Sequence, residues 1–228
     1  MGIAAHLRTI VATLGTSPSR LRHAAVALAG LSLPLAVHAG TWVDVIEYKD
    51  SALDHYFITA APAEIEALDR GAHGGAWKRT GMSFIAWQVG EPPPGGQQDP
   101  IPDDFMATCR FFGTDRYRPD GSRIGPNSHF FTASPSECDY VKTGWPALAD
   151  DGKIYPAWSL EGIAFYIPLP GANGCAAGTM PIHRMYNNGA GGSANHRISP
   201  TLDGMDLEGP NAWVYEGVVM CAPKRAPS

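Results

Sequence analysis

H-F-F-T-A-S-P-S-E-C at 129–138 and W-S-L-E-G-I-A-F at 158–165 are the two stretches from which the fold is read. The first runs from a short apolar strand into a helix start. Ser134 is placed to cap the helix, Pro135 takes the first helical position and Glu137 stands three residues after the cap, the elements of a capping box. In the second stretch Ile163 and Phe165 follow the glycine on one face, the period of a half-buried strand. Trp158 lies on the opposite parity, so Gly162 is expected to mark a bulge or bend that switches the face, a place where a side chain would clash.

The same succession occurs twice more. Upstream it reads I-E-Y-K-D at 46–50, H-Y-F-I-T at 55–59, P-A-E-I-E-A-L at 62–68 and W-K-R-T-G-M-S-F at 77–84. Downstream it reads H-R-M-Y-N at 183–187, H-R-I-S at 196–199 and W-V-Y-E-G-V-V-M at 213–220, and the central set also includes C-R-F-F-G at 109–113. Trp77, Trp158 and Trp213 are each followed four residues on by Gly81, Gly162 and Gly217, and each lies downstream of a strand bearing His55, His129 or His196. Three degenerate copies of one unit are therefore expected, at about 43–90, 105–170 and 178–222, each ordered strand, strand, helix, strand. The first copy has Ala61 at the cap, which weakens its helix by about 1 kcal/mol. The third has Arg197 in place of an aromatic, and Gly204 weakens any helix there.

Charge follows the same pattern. Arg110 and Arg184 occupy matching places in copies two and three, as do Glu161 and Glu216 just before the glycine, whereas copy one has Glu47 and Thr80 there. Both members change together, which predicts that Arg110 faces Glu161 and Arg184 faces Glu216 where the last strand lies against the first. Removing Glu216 alone is then expected to leave Arg184 unpaired, at a cost of roughly 3 kcal/mol or more. An acid and base couple is disfavoured, because an Arg beside a carboxylate keeps it ionised. The three histidines could meet on an axis and hold zinc, but an apolar residue stands two positions after each: Phe57, Phe131 and Ile198. Inward-facing neutral imidazoles with a structural role are the stronger reading, and neither a metal nor a cofactor is expected.

Residues 1–39 read as a signal peptide. Arg8, Arg20 and Arg22 precede an apolar run from Ala24 to Ala36, and Val37-His38-Ala39 offers small residues for cleavage. The run falls short of the ~20 residues that span a membrane, so a transmembrane anchor is not expected. Removing this segment takes away three Arg and no acid, which leaves 14 Lys and Arg against 22 Asp and Glu, a formal charge of −8. Without a basic stripe, nucleic acid is excluded as a partner. The remaining 189 residues suffice for one well-formed core. All four cysteines lie in this part, and an even count in an exported chain reads as disulfides. Three connectivities are possible, and the repeats favour Cys109–Cys138 with Cys175–Cys221. The secreted or periplasmic space is the expected location.

Other signatures of chemistry are missing: there is no G-x-S-x-G, no H-E-x-x-H and no phosphate-cradling glycine loop before a helix. Asp115 to Asn127 lacks the spacing of a known calcium loop and reads as a hairpin turn. Gly189 to Gly192 is a turn, and the Pro- and Gly-rich stretch 91–104 is a long loop between copies one and two.

Taken together, H-F-F-T, C-R-F-F-G, H-R-M-Y-N-N-G and W-V-Y-E-G-V-V resemble the bacterial repeat called domain of unknown function 5648, over Val43 to Cys221. Similar repeats are appended to cell-wall muramidases and peptidases, which implies an accessory role without catalysis. The expected fold is mainly β with short helices, within a single domain over 40–228. It would be a pseudo-threefold closed assembly like a small three-bladed propeller, with a β-trefoil as the alternative. The expected function is a secreted, non-catalytic binding module for a glycan or cell-envelope polymer such as peptidoglycan. A secreted hydrolase, or an inhibitor of a cell-wall hydrolase, is the rival. A row of exposed Trp or Tyr would favour sugar binding, and paired carboxylates in one cleft would favour hydrolysis.

Overall fold

A computed structural model describes residues 40–90, 99–113, 126–144, 146–148, 154–190, 194–210 and 212–225, with a few single positions between them. The stretch read as a signal peptide, residues 1–39, and most of 91–98 and 114–125 lie outside the described residues.

The described chain is mainly β. Its first segment contains β1 (Thr41–Asp50), β2 (His55–Thr59), α1 (Pro62–Asp69), a short 3-10 turn at His73–Gly75 and β3 (Trp77–Gln88). The second contains β4 (Phe105–Gly113), β5 (His129–Thr132), α2 (Pro135–Thr143), the small hairpin β6 (Pro146–Leu148) and β7 (Ile154–Pro156), and β8 (Trp158–Pro168). The third contains β9 (Thr179–Tyr186), β10 (His196–Ser199) and β11 (Val214–Pro223).

In each segment the first strand lies in the middle, flanked by the second and the last. The first two segments join edge to edge through β3 and β8 into a six-stranded antiparallel sheet, β2-β1-β3-β8-β4-β5, while β10-β9-β11 forms a separate sheet. The sheets are open: no hydrogen-bonded ladder among the described residues runs full circle. The pairing is thus not that of a closed sheet, and neither the propeller nor the trefoil follows from it.

The core draws on equivalent positions of all three segments. Ile58, Phe131 and Ile198 from the second strands meet Phe84, Phe165 and Met220 from the last strands in one buried cluster. Each such side chain contributes about 1.5–3 kcal/mol by leaving water, and none of the three segments could bury this face alone. The three glycines sit at interruptions of the ladder. Gly81, Gly162 and Gly217 have φ of 90°, 143° and 108°, and register shifts fall between Ile46 and Tyr48, Arg110 and Phe111, and Tyr215 and Gly217. A Cβ at any of the three would meet nothing within 4 Å. The backbone angle therefore requires glycine at these bulges, and the clash expected from the sequence is not the reason.

Two α-helices form among the described residues, and the third segment has none between β10 and β11. Ser134 Oγ accepts the Glu137 N–H at 3.4 Å, whereas Ala61 offers α1 no side-chain cap. The reciprocal half of the expected capping box is not made. The Ser134 N–H is taken by Thr132 Oγ1 at 3.1 Å, and the Glu137 carboxylate points to Arg184. Cys109–Cys138 ties β4 to α2, and Cys175–Cys221 ties the loop before β9 to β11. No helix among the described residues is long and apolar enough to cross a membrane.

Candidate functional site

Cross-strand register aligns the segments residue by residue. Glu47, Arg110 and Arg184 stand opposite Ile58, Phe131 and Ile198; one step on, Tyr48, Phe111 and Met185 stand opposite Phe57, Phe130 and Arg197. The next step sets Lys49, Phe112 and Tyr186 opposite Tyr56, His129 and His196. His129 and His196 are therefore counterparts, and the third member is Tyr56. His55 does not share their place: it pairs with Asp50 and is buried at 2% exposure. The reason is that β2 has five residues and β5 and β10 have four. Matching the strands on their histidines slips the first by one, and a one-residue slip reverses the face of every side chain.

Where the first segment meets the second, Phe57, Glu64 and Trp77 face Arg110, Phe112, His129 and Glu161 across a cleft of about 500 Å³. Arg110 donates from Nε to Glu161 Oε2 at 2.7 Å and from Nη1 to Glu64 Oε2 at 2.8 Å, so one guanidinium bridges a helix of one segment and the last strand of the next. Thr59 Oγ1 donates to the same Glu64 oxygen at 2.5 Å. His129 lies between Phe57 and Phe112, with ring centroids at 4.7 and 4.9 Å, and its Nε2 is 3.2 Å from Glu161 Oε2. Burial pushes its pKa down to about 4, against the opposing pull of Glu161 and with the help of Arg110, so the ring is neutral at pH 7.

The second and third segments meet through the same set of contacts. Arg184 donates to Glu216 Oε2 at 2.7 Å and, through both terminal nitrogens, to Glu137 at 2.8 and 2.9 Å. His196 lies against Phe130 at 4.9 Å and is stacked on Tyr186 at 4.8 Å. Burial and then Arg184 push its pKa down to about 3. Burial works against Glu137 ionising, but the bonds from Arg184 outweigh it and hold that carboxyl below its usual range. This junction is closed: His196 is 7% exposed and Trp158 3%, and Trp158 packs on Phe130 at 5.6 Å.

Between the third and first segments the positions recur with their charges exchanged. Arg197, at the place of Phe57, donates from Nε and Nη2 to Glu47 at 3.0 and 3.1 Å, and Glu47 stands at the place of Arg110. Thr80, at the place of Glu161, donates to Glu47 Oε1 at 2.7 Å. Arg197 Cζ lies 4.7 Å from the Tyr56 ring centre, and Lys49 Nζ lies 4.9 Å from the same ring. Trp213 packs edge-on against Tyr56 at 5.6 Å.

Of the residues singled out from sequence, the structure brings together Arg110 with Glu161, Arg184 with Glu216, and each of His129 and His196 with one of these pairs. His55 and Trp77 line the cleft, while Trp158 and Trp213 are buried in separate clusters. The sequence reading gave Glu137 a capping role only; that Glu64 and Glu137, each two residues after a helix-opening proline, bind the arginine of the next segment escaped it. The Arg197–Glu47 pair also escaped it: both residues depart from the pattern of the other segments, but they lie 150 residues apart and nothing local connects the two departures. Among the described residues no three His, Cys, Asp or Glu gather closely enough to hold a metal ion. The calcium candidate at 115–127 and the glycine turn at 189–192 fall largely or partly outside the described residues. No family model, curated protein or solved structure matches the chain.

Proposed function

We propose that the chain is an exported, non-catalytic binding module for a glycan or cell-envelope polymer, with its ligand site in the cleft between the first and second segments. In this reading three degenerate copies of one unit stand around a pseudo-threefold axis, joined by side chains at all three junctions and by a shared sheet only between the first and second. The three junctions support it: each links one segment to the next through counterpart positions, and the last returns to the first. The resemblance to a repeat carried beside cell-wall hydrolases points the same way, and the two disulfides suit an oxidising compartment.

One observation carries the sugar-binding reading. The open junction keeps Trp77 and Phe57 half-buried beside Arg110, Glu64 and Glu161, which combines flat apolar faces with hydrogen-bonding groups in a cleft of ligand size. A hydrolase is the second reading, because Glu64 and Glu161 share that cleft. Both carboxylates, however, accept from the same guanidinium, and a general acid must instead carry a proton to give away.

The test is retention of the purified chain, without residues 1–39, on insoluble peptidoglycan, chitin and cellulose, beside Trp77→Ala. Retention on one polymer that falls at least tenfold in Trp77→Ala supports the reading. Loss of all retention removes it, and release of reducing sugar from any polymer, abolished in Glu161→Gln, installs the hydrolase.

A further inference from the structure

We propose that the cleft selects a glycan bearing free protonated amines, an amino-sugar polymer without its N-acetyl groups, over the neutral acetylated form. This rests on the reading of the same cleft as a sugar site and names the ligand class within it.

The charge of the lining is the first ground. Asp50, Glu64 and Glu161 face the cleft with Arg110 as the counterweight, so among the described lining residues three carboxylates stand against one guanidinium. A site for a neutral sugar has no use for that imbalance, and it repels the uronic acids and phosphates of acidic polymers.

The second ground is how the carboxylates are used. Asp50 Oδ1 accepts the N–H groups of Ala52 and Leu53 at 2.9 and 3.2 Å. Glu64 receives Thr59 and Arg110 on Oε2, and Glu161 receives Arg110 and His129 on Oε2. In each case one oxygen anchors the side chain, and the other has no hydrogen-bond partner among the described residues. Asp50 is the most telling of the three, being only 5% exposed yet lining the cleft. Fixed carboxylates with an open oxygen are acceptors made ready for N–H donors.

The third ground excludes the simplest cation. These carboxylates do not form a metal-binding group, since no such cluster exists among the described residues. Glu64 and Glu161 stand together on Arg110, whereas Asp50 is anchored on the turn after β1, so carboxylates line the cleft from two places. The rings of Phe57, Trp77 and Phe112 share the lining with them. Phe57 already takes a cation, with Arg110 Cζ 5.8 Å from its ring centre, so the aromatic lining favours ammonium groups as well as sugar faces.

The experiment is calorimetric titration of the chain lacking residues 1–39 with a glucosamine tetramer and with an N-acetylglucosamine tetramer, at pH 6 and at two salt concentrations. The glucosamine tetramer should bind at least tenfold tighter, and the gap should shrink at high salt. Glu161→Gln should narrow the gap, and Glu66→Gln, on the outer face of α1, should not. If Glu161→Gln fails to fold, the ligand pair and its salt dependence on the unaltered chain decide. Equal or tighter binding of the acetylated tetramer overturns this inference and leaves the sugar site standing. Binding of neither tetramer overturns both, and binding of a lysine-rich peptide in their place assigns the negative cleft to a protein partner instead.

Discussion

The first and second junctions use the same residues at the same places, yet one is open and the other sealed. At the sealed junction Trp158 rests on Phe130, and α2 is stapled to its strand by Cys109–Cys138. At the open one Trp77 stands 6.0 Å from Phe57, and Ile46 and Ile65 occupy the places of the two cysteines, so no covalent tie holds α1. The comparison teaches that one arrangement of Arg, Glu and His can be sealed inside one junction and line an open cleft at another. What separates the two is how firmly the neighbouring helix and tryptophan are held.

The third junction tests whether these contacts hold the molecule together. Arg197→Met leaves Glu47, 2% exposed, with a buried charge met only by Thr80, and should cost about 3–5 kcal/mol in urea unfolding. Arg197→Met with Glu47→Met removes both charges and should recover most of that loss. If the single variant unfolds like the parent, this junction is not where the first and third segments are held.

Acid should strain the sealed junction more than the open one. The folded chain keeps His196 and His129 neutral, with pKa values pushed down to about 3 and about 4, while an unfolded histidine takes up its proton near pH 6.5. The unfolded state thus binds more protons in this window. Stability from these groups is complete above about pH 6.5 and falls as pH drops toward 4, by at most about 1.4 kcal/mol per unit for each ring. The urea midpoint should be level between pH 8 and 7 and decline below 6. His196→Phe should flatten that decline more than His129→Phe, and equal effects would erase the distinction between the junctions.

Glu216→Gln has a smaller expected effect than the sequence alone suggested. Arg184 does not lose its last partner, because Glu137 still binds it through both terminal nitrogens. About 1–2 kcal/mol should be lost, and Glu137→Gln added to it should raise the cost above about 3 kcal/mol. Smallest of all, Ala61→Ser gives α1 the cap that α2 has in Ser134, and should raise stability by about 0.5–1 kcal/mol in thermal melts.

How much of this could be read from the chain depends on the range of the signal. The alternation after Gly162, the proline and serine at the start of α2, and the strand order around them are local, and a linear pattern displays them. Arg110 with Glu161 and Arg184 with Glu216 were readable because both members change together between the segments. The roles of Glu64 and Glu137 were not, since each reaches across to the arginine of the next segment. The shift of His55 shows the limit of matching letters: the anchor that aligns the second strands is the threonine before the helix, Thr59 and Thr132, whose hydroxyls accept the N–H groups of Ala61 and Ser134. The cleft itself has no linear signature. It lies beside the helix that has neither a side-chain cap nor a disulfide, and absence leaves no pattern.

The disulfides join cysteines that are neighbours in order along the chain, 29 and 46 residues apart. A polypeptide threaded amino end first into an oxidising space would offer Cys138 to Cys109 before Cys175 arrived. Pairing in order of arrival then gives the connectivity that the structure has.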